Sequence, residues 1–189
     1  MANPYRLDAT AGQIARALGA DADGDVWEGG PIAPGSYAPV VIGGPDRMRR
    51  LVPRQWGVPP PPRGEVPVTT VRNLASPFWI GTLRHTQFRC LVPMTGFQES
   101  GGTPDARTRH WFDVPSSPIF ACAGIWRDSD VVSYAVLTTE ANATVAACHA
   151  RTMPVILHPE DYALWLTAPW KEAQRLATPF PSQLMRVQN

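Results

Sequence analysis

The sequence predicts an α+β fold in one domain spanning residues 1–189, with a barrel-like sheet, mixed or antiparallel, and a few short helices. Three observations predict it. Short runs of alternating or continuous apolar residues recur along most of the chain, as strands of a half-buried sheet do. Glycine and proline pairs punctuate those runs at turn-like intervals. The helix signals are few and scattered among many short strands, which makes this an α+β chain. No internal repeat is present.

Taken in order, Asp8 is placed to cap a short helix through Gln13, Ile14, Ala17 and Leu18, which Gly19 stops. Residues 21–35 are turn-rich, with Gly29-Gly30-Pro31 and Pro34-Gly35. Ala38 to Ile42 and Met48 to Val52 read as strands joined in a hairpin through Gly43-Gly44-Pro45-Asp46. Four prolines at 59–62 follow Trp56-Gly57 and favour an extended surface loop. Val66 to Val71 is a strand that delivers Arg72-Asn73 to its end, and Leu74 to Leu83 is helical after a break at Pro77. Arg84 to Val92 resumes the sheet, and His110 to Val114, Ile119 to Trp126 and Val132 to Leu137 add three strands. Thr138 to Ala147 reads as a short helix capped by Thr139, before a strand at Val155 to Leu157. His158-Pro159-Glu160-Asp161 starts a last helix, with proline at its first position, acids in its first turn, and Tyr162, Trp165 and Leu166 as its buried stripe.

Composition bounds the function. With 189 residues and 44% hydrophobic content the chain can bury a real core, no apolar run reaches membrane length, and no signal peptide opens it. A soluble, cytoplasmic, nucleoid-associated monomer is expected. Cys90, Cys122 and Cys148 are odd in number and widely spaced, which fits buried free thiols rather than disulfides or a zinc knuckle. His85, His110, His149 and His158 lack metal-ligand spacing, so neither a metal nor a cofactor is expected. Net charge is +1, but residues 1–46 carry −4, residues 47–109 carry +7 and residues 110–189 carry −2. The basic middle third could fold into one phosphate-binding face, or it could be spread over a solvated surface. Lys171 is the single lysine beside 16 arginines. Arginine pairs with phosphate but does not form imines at neutral pH, so an amine nucleophile could only be Lys171 or an α-amino terminus.

The stretch from Arg89 to Ser100 carries the most chemistry. Arg89 to Val92 alternates as a half-buried strand, Pro93 ends it for want of an N–H, and Gly96 bends the chain. Glu99 then stands at a strand end just past Phe97. It is either an ordinary solvated glutamate or a desolvated carboxyl poised for acid–base work. No nucleophile elbow, phosphate loop, dinucleotide fingerprint or zinc-protease motif is present.

Four separated pieces together resemble one family, the SOS response-associated peptidase (SRAP) proteins, relatives of the abasic-site-binding embryonic stem cell protein. They are Met1-Ala2-Asn3-Pro4-Tyr5-Arg6-Leu7; Val71-Arg72-Asn73-Leu74-Ala75-Ser76-Pro77-Phe78-Trp79; Arg89-Cys90-Leu91-Val92-Pro93 with Gly96-Phe97 and Glu99; and Leu137-Thr138-Thr139-Glu140-Ala141-Asn142 with His149 and Met153-Pro154-Val155-Ile156-Leu157. Pro34-Gly35, Trp56-Gly57 and Ala123-Gly124-Ile125-Trp126 fall between them at matching intervals.

The resemblance implies a barrel-like domain with a groove for single-stranded DNA, whose terminal residue joins the ring-opened aldehyde of an abasic site. It implies that Asn73 holds the reacting terminus and sugar, that Glu99 is the acid–base group beside that terminus, and that His149 shuttles protons during ring opening and reversal. Trp56 matches an aromatic at the groove, on which a base or sugar could stack, and Pro34 lies with it on the DNA side. Taken singly, Asn73 also fits a turn or cap residue and His149 a satisfied structural histidine.

Position 2 departs from the pattern. Ala2 stands where the family has the cysteine whose amine and thiol close a thiazolidine. The family's arginine soon after the asparagine is also missing, which leaves Arg72, Arg84 and Arg151 as candidates for phosphate contacts, and Ser100 replaces an aromatic often found after the glutamate. After removal of Met1, an α-amine with a pKa of roughly 7.7–8.0 could still form an imine. Without the thiol that imine would hydrolyse or proceed to β-elimination. Three readings follow: an abasic-site enzyme weakened by Ala2, a non-covalent binder of single-stranded or junction DNA, and a self-processing peptidase.

Overall fold

The computed structural model of the protein describes residues 3–22, 27–44, 46, 48–103 and 106–188. The first half of the chain contains β1 (Tyr5–Leu7), α1 (Ala11–Leu18), β2 (Gly30–Ile32), β3 (Tyr37–Gly43), β4 (Arg49–Trp56), β5 (Thr70–Val71) and α2 (Pro77–Arg84). It continues through β6 (Arg89–Met94), β7 (Gly96–Thr103), β8 (Ala106–Asp113), β9 (Phe120–Arg127) and β10 (Ser133–Glu140). The last part adds α3 (Ala143–Ala146), β11 (Thr152–Pro154), β12 (Ile156–Leu157), α4 (Tyr162–Thr167), α5 (Trp170–Ala173) and β13 (Arg186–Gln188).

The expected mixed, barrel-like sheet is present. β4, β3, β6, β9 and β10 pair in sequence, and β10 returns to β4 through the parallel pairs Ser133↔Gln55 and Tyr134↔Trp56, so the strands close into a ring. A second, antiparallel sheet runs β13-β8-β7-β1-β2. The chain passes from one sheet to the other at Thr95, between β6 and β7, and the Thr95 amide donates to the Arg6 carbonyl at 2.8 Å. Tyr5, Leu7, Phe97 and Phe112 of the second sheet share one apolar core with Trp56, Leu91 and Tyr134 of the ring.

Several expectations are corrected locally. Pro93 does not end β6: it is buried and paired with Ala121. It lies past the two-residue contact of β6 with β3, so its missing N–H costs no ladder bond there. β6 does not alternate, because α4 covers its other face and every residue from Arg89 to Met94 is buried. Thr10, not Asp8, caps α1 in a reciprocal capping box with Gln13, while Asp8 pairs with Arg6 at 3.5 Å. Gly19 ends that helix in the left-handed conformation, as expected.

The strand over 66–71 shrinks to β5, since residues between the Val58–Val68 bridge partners loop outward. Leu74 to Ser76 stay outside α2, which starts at Pro77 with Ser76 as cap, and residues 86–88 form a turn of 3₁₀ helix before β6 begins at Arg89. β10 runs on to Glu140 because Thr138 to Glu140 pair with β11, which leaves Asn142 to cap a shorter α3. The 158–161 start and the buried stripe Tyr162, Trp165 and Leu166 occur as expected. The tip of the β3–β4 hairpin lies partly outside the described residues.

Candidate active site

β1 and β7 pair only at Tyr5↔Phe97 and Arg6↔Gly96, and beyond that contact Asn3 and Pro4 lie along the free edge of β7. The Gln98 amide donates to the Pro4 carbonyl at 3.1 Å, and the Asn3 amide nitrogen donates to Glu99 Oε2 at 3.0 Å. Glu99 is therefore not at a strand end but in mid-β7, opposite His110 of β8. Burial in this apolar surround pushes its carboxyl up to about 7, and the Asn3 donor opposes that rise.

Glu99 and Asn3 line a cavity of about 420 Å³, walled by Tyr5, Phe97, Thr70 and Arg72 among others. Trp56 also borders it, but its indole is only 3% exposed. It is held between Tyr5 (centroids 5.1 Å apart, edge-on) and Tyr134 (6.5 Å, stacked), with Nε1 donating to the Thr69 carbonyl at 3.0 Å. The Tyr5 and Tyr134 hydroxyls bond each other at 2.5 Å, and burial raises the pKa of both phenols.

The structure thus gathers Glu99, Trp56 and Arg72 around one cavity. Asn73 directly follows Arg72 but is exposed, and its side-chain oxygen accepts from the Ala75 amide at 3.0 Å, an Asx turn. His149 does not line the cavity; it is exposed and, with φ of 60°, is the one non-glycine residue of positive φ among the described residues. Its turn is seated on β7 at Gly101, where any side chain would collide with the Cys148 carbonyl. Pro34 is exposed in the turn before β3, whose Gly35 amide donates to the Trp56 carbonyl at 2.8 Å. Arg84 ends α2 and Arg151 precedes β11, both exposed and outside the cavity wall. Ala2 lies outside the described residues.

Sequence reasoning gave Asn3 no role, although it is the direct partner of Glu99. Nothing local to residues 1–7 signals that contact, because it spans 96 positions and forms only when β1 pairs with β7. Cys90 and Cys122 are buried free thiols, as expected, and desolvation raises their pKa values well above the reactive range. Cys148 is also free but only half-buried. Among the described residues no three His, Cys, Asp or Glu side chains converge as metal ligands, and no helix is long and apolar enough to cross a membrane.

The profile of the SOS response associated peptidase (SRAP) family matches residues 1–189, the whole chain. This protein belongs to the SRAP family. The family is associated with crosslinking to abasic-site DNA. Solved structures agree in fold. A protein from Bacteroides thetaiotaomicron superposes with a TM-score of 0.84 at 21% identity, over 97% of this chain and 90% of that one. A protein from Bordetella bronchiseptica gives 0.80 at 18% identity, over 98% and 97%. A phage-related protein from the same organism gives 0.75 at 18%, over 98% and 92%. No curated protein matches this SRAP chain in sequence.

Proposed function

We propose that this SRAP protein senses abasic sites in single-stranded DNA and bonds reversibly to the ring-opened sugar through the α-amine of Ala2, with Glu99 moving the protons. The observation that carries the reading is Glu99 itself. It is a carboxyl with a pKa near neutrality, on the wall of a cavity that also presents Arg72, and it is hydrogen-bonded to Asn3, the residue joined to Ala2.

The amine adds to the aldehyde carbon to give a carbinolamine. Glu99 then donates a proton to the departing hydroxyl, which leaves as water, and the imine forms. A carboxyl near pH 7 has both protonation states available and so serves each direction of this exchange. Without a thiol no ring closes on the imine. It is hydrolysed, or the sugar C2 proton is lost and the 3′ phosphate leaves by β-elimination. Arg72 supplies charge for the DNA backbone, and His149 assists ring opening from its turn above β7.

Intact mass after incubation with abasic-site single-stranded DNA tests this, with an Ala2→Cys variant alongside. The expected result is a stable adduct for Ala2→Cys, and for the unaltered protein an adduct only after borohydride reduction. Absence of any adduct in both would overturn the reading. Ala2 in place of the thiol-bearing residue favours one alternative, a lesion-shielding binder without covalent chemistry. That alternative predicts steeply salt-dependent binding and no trapping.

A further inference from the structure

We propose that Ser100 is a positioning residue, whose hydroxyl holds the Asn3 side-chain amide in the orientation that presents a donor to the Glu99 carboxylate. Consecutive residues of a strand point to opposite faces, so Glu99 and Ser100 of β7 have no direct way to meet. Asn3 lies along the edge of β7 and reaches both. Ser100 Oγ donates to Asn3 Oδ1 at 2.7 Å, and Asn3 Nδ2 donates to Glu99 Oε2 at 3.0 Å. A carboxamide carries its acceptor and its donors on opposite corners, so while Ser100 donates to the oxygen, the nitrogen is the corner presented to Glu99.

The consequence is chemical. A donor on Oε2 favours the ionised carboxylate and opposes the burial that favours the neutral acid. With the amide turned over, Oδ1 would face Glu99, and only the protonated carboxyl could bond to it. The titratable and charged groups on the elements packed around Glu99 are Tyr5 from β1, His110 from β8 and Arg72 across the cavity, while His149 stands exposed on the turn over Gly101, outside the cavity wall. Among the described residues, none of these forms an ion pair or hydrogen bond with the carboxyl; Asn3 alone does. The inference rests on reading Glu99 as the acid–base group, and it deepens that reading by assigning what holds in place the donor that opposes the effect of burial.

The test is an NMR titration of the Glu99 side-chain carboxyl in the DNA-free, full-length protein, with S100A, S100T and N3L variants. Because no DNA is present, failure here is separable from failure to form an adduct. Loss of a hydrogen bond to a charged group corresponds to a rise of about one pH unit. The N3L midpoint is therefore expected to rise by about that much, S100A to rise in the same direction, and S100T to keep the unaltered midpoint. Each variant is first checked for an unchanged amide spectrum; Ser100 is exposed, so its substitution leaves the core intact. An S100A midpoint equal to that of the unaltered protein overturns the proposal, as does an S100T midpoint displaced as far as that of S100A.

Discussion

The backbone carbonyl of Cys148 occupies the space that a side chain on Gly101 would need. This contact seats the turn carrying His149 on the strand carrying Glu99, two residues away along β7. The turn holds His149 at a φ of 60°, a conformation that a non-glycine residue adopts at some cost. Backbone strain of this kind persists where the surroundings enforce it, often at functional sites.

Gly101→Ala is therefore expected to push the 148–150 turn off β7. Overpacking of this kind costs about 1–3 kcal/mol. Urea denaturation should register that loss, and borohydride-trapped adduct should fall by more than the loss of folded protein explains. Unchanged stability would mean that the turn yields freely and does not constrain His149.

Glu99→Gln is expected to slow adduct formation sharply, leaving a measurable residual rate, while making the protein more stable at pH 8. The unfolded carboxyl titrates near 4.5 and the folded one at about 7, so the folded state holds more protons between those values. The contribution of Glu99 to stability is thus full below about pH 4.5, declines as pH rises to about 7, and stays lowest above it. The difference is on the order of 3 kcal/mol. Thermal or urea unfolding of both proteins at pH 5 and pH 8 checks it: the gap between them should open at the higher pH.

Adduct formation by the unaltered protein should itself vary around neutral pH, since Glu99 changes protonation there. Initial rates of trapping from pH 5.5 to 8.5 should show a limb that Glu99→Gln lacks. A profile set only by the α-amine would leave Glu99 without a part in the step.

Arg72→Ala should weaken binding to single-stranded DNA of any sequence and flatten its salt dependence. One lost phosphate contact reduces the slope of log affinity against log salt by about 0.7. Fluorescence anisotropy across a salt series measures it; an unaltered slope would place the phosphates elsewhere.

Arg89 tests the core rather than the site. Its buried guanidinium donates to the Leu83 carbonyl at 2.9 Å and, at the end of α4, to the Trp165 and Ala168 carbonyls at 3.0 and 2.7 Å. Arg89→Ala leaves these acceptors unpaired and opens a void, for a loss of roughly 3–5 kcal/mol. A urea midpoint within error of the unaltered protein would refute that account.

Much of this was legible in the chain because it is local. The stop at Gly19 and the 158–161 helix start with its Tyr162, Trp165 and Leu166 stripe depend on neighbours within a turn or two, and they form as read. The misreadings share one cause. Pro93 reads as a strand end, and Arg89 to Val92 as an alternating half-buried strand, only while the partners of β6 are unknown. Thr138 and Thr139 read as a helix start until β11 claims them as strand.

By itself the sequence determined the α+β class, the family, and the candidacy of Glu99, since residue types and their spacing are properties of the chain. Only the tertiary structure decided what surrounds Glu99. Pairing of β1 with β7 brings Asn3 across 96 positions to the carboxyl, and burial beside Phe97 moves its titration to neutrality. Hydrogen-bond partners and desolvation are set by whatever the fold brings near, and no local pattern encodes them.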